Sequence, residues 1–125
     1  MAADQGHKEA QYFTASRYGN GVGVEKNEQE ATRYYKLVAD QGHKDAQYHI
    51  ATCYEFGSGV KESEKEAAHY FKLAADQGHI EAQYSIGICY ANGAGVMKSQ
   101  LQASRYLKLA AHQGHEKAKA MLAKK

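Results

Sequence analysis

The 125-residue sequence contains no proline and no tryptophan, and only two cysteines. Without proline, no position is barred from a helix interior by a missing N–H or a clashing ring. Two cysteines are too few for a disulfide framework. Cys53 and Cys89 stand one repeat length apart, and stacked helices hold equivalent Cα atoms about 8–10 Å apart, beyond the roughly 7 Å that a bridge can span. Both read as small buried thiols, which suits a reducing compartment. No apolar run approaches the roughly 20 residues of a membrane-spanning helix, and Met1-Ala2-Ala3-Asp4 lacks the apolar stretch of a signal peptide. A soluble chain with no membrane partner is the expectation. Sixteen Lys and Arg against fourteen Asp and Glu leave a formal charge of +2 with the signs interspersed. No basic stripe results, so nucleic acid is not an expected partner either.

What the sequence does have is a helix-forming palette rich in Ala, Glu, Lys and Gln, ten tyrosines, and a period. Asp-Gln-Gly-His occurs at Asp4–His7, Asp40–His43 and Asp76–His79, and His-Gln-Gly-His follows at His112–His115, each 36 residues after the last. Ala10, Ala46, Ala82 and Ala118 keep the same phase, as do Tyr18, Tyr54 and Tyr90, Gly21, Gly57 and Gly93, and Leu37, Leu73 and Leu109. A unit of this size cannot bury its own apolar face, so neighbours must stack. The expected organisation is one repeat domain over residues 1–125, with repeats at 4–39, 40–75 and 76–111 and a partial, capping repeat at 112–125.

Within the second repeat, Ala46, Ile50, Cys53 and Tyr54 fall on one side of a helix from about Lys44 to Glu55, here called helix A. Ala67, Tyr70, Phe71 and Ala74 define helix B, from about Glu64 to Ala75. Gly57 and Gly78 supply the left-handed residue that ends each helix. Asn27 with Glu30, Ser63 with Glu66, and Ser99 with Gln102 form a capping box before each helix B. The fold class predicted is all-α: an α-solenoid of antiparallel helix hairpins, three repeats plus a C-terminal helix.

The pattern A-Q-Y-x-I-G-x-x-Y-x-x-G-x-G-V from Ala82 to Val96, followed by A-x-x-Y-x-K-L-A-A from Ala103 to Ala111, resembles the Sel-1-like repeat family, a relative of the tetratricopeptide repeats. The resemblance covers essentially the whole chain. The family's Leu-Gly pair in helix A survives in type at Ile86-Gly87 and becomes Ile50-Ala51 and Thr14-Ala15, and its loop aspartate is replaced by Asn27, Ser63 and Ser99. The resemblance implies a right-handed superhelix whose A helices line a concave face that binds a protein or peptide.

By the helical angle of about 100° per residue, Tyr48, Thr52 and Glu55 lie opposite the core side of their helix A. Tyr12 and Tyr84 share the slot of Tyr48. The candidate partner-binding set is Tyr12, Phe13, Tyr48, His49, Thr52, Glu55, Phe56, Tyr84, Ile88 and Asn92. Large aromatics there suit a binding hot spot, while packing between neighbouring repeats explains the Tyr12, Tyr48 and Tyr84 ladder equally simply. Tyr18, Tyr54, Tyr90, Tyr34, Tyr70 and Tyr106 read as core. The periodic His7, His43, His79 and His115 stand too far apart to share one ion and read as turn caps, and His49 with Cys53 is only half of a zinc site. No metal or cofactor is expected. The Gly-x-Gly-Val loops follow helices rather than strands and read as helix ends, not as phosphate cradles.

Ser58–Lys61 spells S-x-x-K, and some cysteine-rich relatives of this repeat family are linked to penicillin binding. The companion S-D-N and K-T-G signatures and the relatives' cysteine pairs are missing. The function expected is therefore a non-catalytic protein–protein interaction module. The alternatives are an engineered or excised repeat scaffold with no partner of its own, suggested by the helix-like start at Met1-Ala2-Ala3-Asp4, and a weak hydrolase of the penicillin-binding type. A monomer is expected, with end-to-end self-association as the competing possibility because the first repeat has no obvious cap.

Overall fold

The computed structural model describes residues 28–123. Tyr12, Phe13, Asn27 and the first helix A lie outside the described residues. Within them every regular element is a helix: α1 (Glu28–Ala39), α2 (Lys44–Phe56), α3 (Glu64–Asp76), α4 (Ile80–Asn92), α5 (Gln100–His112) and α6 (Glu116–Ala123). The helices alternate between B and A slots, starting with a B helix. All the strong helix contacts join helices that are consecutive in the chain, so the molecule is an α-solenoid of stacked hairpins.

The predicted helix ends are in place, but each described capping box is half formed, because the Ser63 and Ser99 N–H groups donate to the Tyr54 and Tyr90 carbonyls and not to the Glu66 and Gln102 side chains. Ser63 and Ser99 are extended residues whose hydroxyls accept from the Glu66 and Gln102 N–H groups at 3.2 Å. Gly57 and Gly93 are left-handed, and their N–H groups donate to the Cys53 and Cys89 carbonyls. Gly78, at φ +92°, closes α3 with the paired bonds Gly78 N–H to Ala75 and His79 N–H to Ala74.

The core runs along the stack and is dominated by alanine. Ala46, Ile50 and Ala51 from α2 meet Ala67, Phe71 and Ala74 from α3, and Ala82 and Ile86 from α4 continue the layer. Phe71, Ile50, Ile86 and Val38 are the largest side chains fully out of water, each contributing about 1.5–3 kcal/mol by burial. Tyr70 and Tyr106 are buried as expected, whereas Tyr34, Tyr54 and Tyr90 are half-buried. Tyr54 stacks on Tyr70 and Tyr90 on Tyr106, with rings near parallel at 6.1 and 6.0 Å.

Polar bonds lock one repeat to the next. The Tyr70 hydroxyl donates to Asp40 at 2.9 Å, and the Tyr106 hydroxyl donates to Asp76 at 2.8 Å. Burial, then the Asp40 carboxylate, push the Tyr70 hydroxyl up to about 12. The Gln77 amide donates to Gln47 at 2.7 Å, and Gln47 donates onward to the Ala39 carbonyl at 3.1 Å. Gln113, Gln83 and Ala75 repeat the relay. Among the described residues no buried side-chain nitrogen or oxygen lacks a partner.

The second glycine of the Gly93–Val96 loop has its own role. Gly95 is left-handed at φ +75°, and the Glu64 carbonyl of the preceding B helix occupies the space where its Cβ would stand. The same loop one repeat earlier is held by Thr32, whose hydroxyl donates to the Ser58 carbonyl at 2.9 Å. Gly114 is also left-handed, at φ +94°, but nothing lies within 4 Å of its Cβ position. Gly114→Ala should therefore cost about 1 kcal/mol, from backbone strain alone. Gly95→Ala should cost at least about 3 kcal/mol, because strain and displacement of a neighbouring backbone add. Urea denaturation of the two variants measures the difference, and equal midpoints would refute a spacing role for Gly95.

Candidate functional site

The first turn of each described A helix carries the same set of side-chain contacts. A helix start leaves backbone N–H groups without an acceptor. Here an imidazole fills the need: Nδ1 of His43, His79 and His115 accepts from the N–H of Ala46, Ala82 and Ala118, each at 3.1 Å. An Nδ1 acceptor must be unprotonated, which puts the ring proton on Nε2. That Nε2–H faces the preceding A helix, reaching Asp45 at 3.4 Å from His79 and Glu81 at 3.1 Å from His115. The turn-capping expected of these histidines is thus present in its geometry.

The ring faces do further work. Tyr48 stacks on His79 with centroids 4.6 Å apart, and Tyr84 stacks on His115 at 4.4 Å, both at 19°. Tyr48 also meets the Phe71 ring at 5.7 Å. Sequence reasoning treated the tyrosine ladder and the histidine caps as separate features, although the constant offset from Tyr48 to His79 and from Tyr84 to His115 was there to be read. Burial, followed by the Glu81 and Glu55 charges, raises the Tyr48 hydroxyl above its ordinary value.

The other predicted residues separate into packed and open groups. His49 stacks on Tyr35 at 4.9 Å and is held below the ordinary imidazole range by burial. Ile88 and Tyr84 pack against the cluster of Leu107, Ala110 and Ala118. The Thr52 hydroxyl donates back to the His49 carbonyl at 2.7 Å. Glu55 and Asn92 are exposed, and Phe56, at the end of α2, is 72% exposed. Tyr12 and Phe13 fall outside the described residues.

Beside Glu55 lies a cleft of about 250 Å³ lined by Glu62, Glu64, Phe71 and Cys89. Burial raises the Glu55 carboxyl, and burial with the Glu55 and Glu64 charges pushes the Cys89 thiol up to about 11. That thiol is a poor nucleophile at neutral pH. Both cysteines are unbridged and half-buried rather than fully buried. The Cys53 sulfur lies 3.7 Å from the Thr32 hydroxyl oxygen, whose proton goes to the Ser58 carbonyl. Among the described residues no group of three or more His, Cys, Asp or Glu could hold a metal ion, and no helix is long and apolar enough to cross a membrane. Lys61 is exposed, and the Ser58 carbonyl is engaged by Thr32.

Comparison with known proteins gives a consistent result. A family model described as the Sel1 repeat matches residues 8–43, 44–79 and 80–115. The chain is similar to a Sel1 repeat protein from Oxalobacter formigenes, with 37% identity, a TM-score of 0.91, and coverage of 98% of this chain and 92% of that one. It is also similar to c5321, a protective antigen of uropathogenic Escherichia coli displaying an SLR fold, at 37% identity and a TM-score of 0.86. That match covers 94% of this chain but only 25% of the antigen. Cysteine rich protein B of Helicobacter pylori shares the fold, with 22% identity, a TM-score of 0.76, and coverage of 96% and 92%. No curated protein matches the chain.

The His79 cap makes stability depend on pH. Burial lowers the pKa of His79; Asp45 opposes that shift and Lys44 adds to it. Between this lowered value and the ordinary value of about 6.5, the unfolded chain binds more protons than the folded one. The contribution is therefore complete above about 6.5 and is lost as pH falls through the folded pKa. His79→Asn keeps a side-chain acceptor at the cap without a titrating ring. It should lose less stability than the parent chain between neutral pH and about pH 5, as read from urea midpoints. Parallel pH profiles for the two proteins would rule out this role.

Proposed function

The chain belongs to the Sel1 repeat family, and from that premise we propose that it is a non-catalytic interaction module holding a protein or peptide along its A helices. The Sel1-repeat fold is generally a protein–protein interaction module and generally non-catalytic. The observation that carries the proposal is Phe56, an aromatic ring left 72% exposed at the C-terminal end of α2. An exposed aromatic at the rim of a regular stack suits a hot spot, since it buries much area on binding at little entropic cost. Thr52, Glu55 and Asn92 extend the face, and Tyr48 and Tyr84 offer their uncovered edges to the same partner. His49 and Ile88 support it from beneath. In this reading Tyr12 and Phe13 continue the face into the first repeat.

The penicillin-hydrolase alternative gains nothing here, because the S-x-x-K run stands without the S-D-N and K-T-G signatures that complete such a site. A scaffold without a partner and the interaction module differ in one result. Phe56→Ala should leave the melting temperature within about 1 °C, because the side chain is exposed, while lowering capture of a cross-linked partner about tenfold. Photo-crosslinking from position 55 in native cells, with exposed position 65 on α3 as the comparison, identifies what is captured. Equal capture from both positions, or capture unaffected by Phe56→Ala, would remove the A-helix face from the proposal.

A further inference from the structure

The three B helices share an exposed face, and its chemistry changes along the stack. Leu37, Leu73 and Leu109 occupy one slot and are 44%, 39% and 42% exposed. Basic residues flank them: Arg33 and Lys36 on α1, His69 and Lys72 on α3, Arg105 and Lys108 on α5. On the first two helices carboxylates balance this charge. Arg33 pairs with Glu30 at 2.9 Å, Lys36 with Asp40 at 3.1 Å, and Lys72 with Asp76 at 2.9 Å.

On α5 both balancing acids are gone. Gln102 stands where Glu30 and Glu66 stood, and His112 stands where Asp40 and Asp76 stood, while Arg105 and Lys108 remain. No Asp or Glu occurs between Glu81 and Glu116. Arg105 lies 5.8 Å over the Tyr106 ring and its charge reaches Asp76, a carboxylate already bonded by Lys72 and Tyr106. Neither Arg105 nor Lys108 has a carboxylate within ion-pair distance among the described residues. Two polar slots have meanwhile become apolar: Met97, 89% exposed, stands where Glu25 and Lys61 stand, and Leu101, 80% exposed, stands where Gln29 and Lys65 stand. Leu101, Arg105, Lys108 and Leu109 line a shallow groove of about 490 Å³ along this face.

We propose that this face of α5 docks an acidic amphipathic helix of a partner protein, at a surface separate from the A-helix face. Leu101 and Leu109 lie about 12 Å apart along the helix axis, the separation of apolar residues seven or eight positions apart on a facing helix. The unbalanced Arg105 and Lys108 lie between them and select carboxylates on the partner's flanks. An anionic membrane is the weaker occupant. The groove offers Arg105 and Lys108, and at about 1 kcal/mol per cation these provide only marginal surface binding.

The test uses the full chain and a fluorescein-labelled synthetic peptide of about 18 residues, with leucines along one helical face and glutamates beside them. Two control peptides replace every glutamate by lysine or every leucine by serine. Fluorescence anisotropy should show the Glu/Leu peptide binding at least about tenfold more tightly than either control, and more weakly as salt rises. Lys108→Glu and Leu101→Lys should each weaken it about tenfold with unchanged helicity. Lys108→Glu should also improve binding of the lysine peptide. Equal binding of the three peptides would overturn the proposal, as would indifference to both substitutions. So would a chain that ignores the peptides but co-sediments, through Leu101, with vesicles of equal parts phosphatidylcholine and phosphatidylserine, since the face would then belong to a membrane.

Discussion

Amides at the start of a helix find no acceptor inside that helix, and in this protein the answer to that local need organises the whole stack. Before α3 and α5 a serine hydroxyl accepts the amide and the matter ends there. Before each described A helix the acceptor is an imidazole, which has two faces and a second nitrogen left over. Those remaining groups meet the preceding A helix, at Tyr48 and Asp45 from His79 and at Tyr84 and Glu81 from His115. A cap worth about 1 kcal/mol in isolation thereby becomes a joint between repeats.

The joint matters because the apolar core is a weak specifier. Alanine dominates the facing surfaces of α2, α3 and α4, and small side chains give shallow ridges that permit sliding. Hydrogen bonds between fixed partners do not slide. The tyrosine-to-aspartate and glutamine-to-glutamine bonds set the register that the alanines leave open. Burial supplies the cohesion, and the polar residues of the Asp-Gln-Gly-His turn determine where each repeat sits.

Helix positions, caps and loop ends were legible in the sequence because each depends on residues near one another in the chain. Ser63 with Glu66 and Gly57 after Phe56 could be read without knowing the fold. The fate of the exposed-looking tyrosines was harder, since it depends on what a neighbouring repeat brings across. The solvent side of an isolated A helix is, at Tyr48, a contact with His79 and Phe71. His49, placed in the candidate binding set from the sequence, instead has its ring stacked on Tyr35 of the preceding helix. Phe56 could be flagged as aromatic from the sequence, but not as largely uncovered. The loss of Glu and Asp partners along α5 was visible in the alignment of the repeats with themselves, and it gained meaning only beside the ion pairs of α1 and α3.

Each tie between repeats described above spans fewer residues than the 36-residue period itself. The genetic consequence is direct. Duplicating or deleting one whole period re-creates the same partners at the same offsets, so array length can change in a single recombination step without inventing a new contact. An insertion within a period has no such freedom, because it shifts a histidine away from its tyrosine and a tyrosine away from its aspartate together. Selection can therefore vary how many repeats a gene encodes far more readily than how long any one of them is.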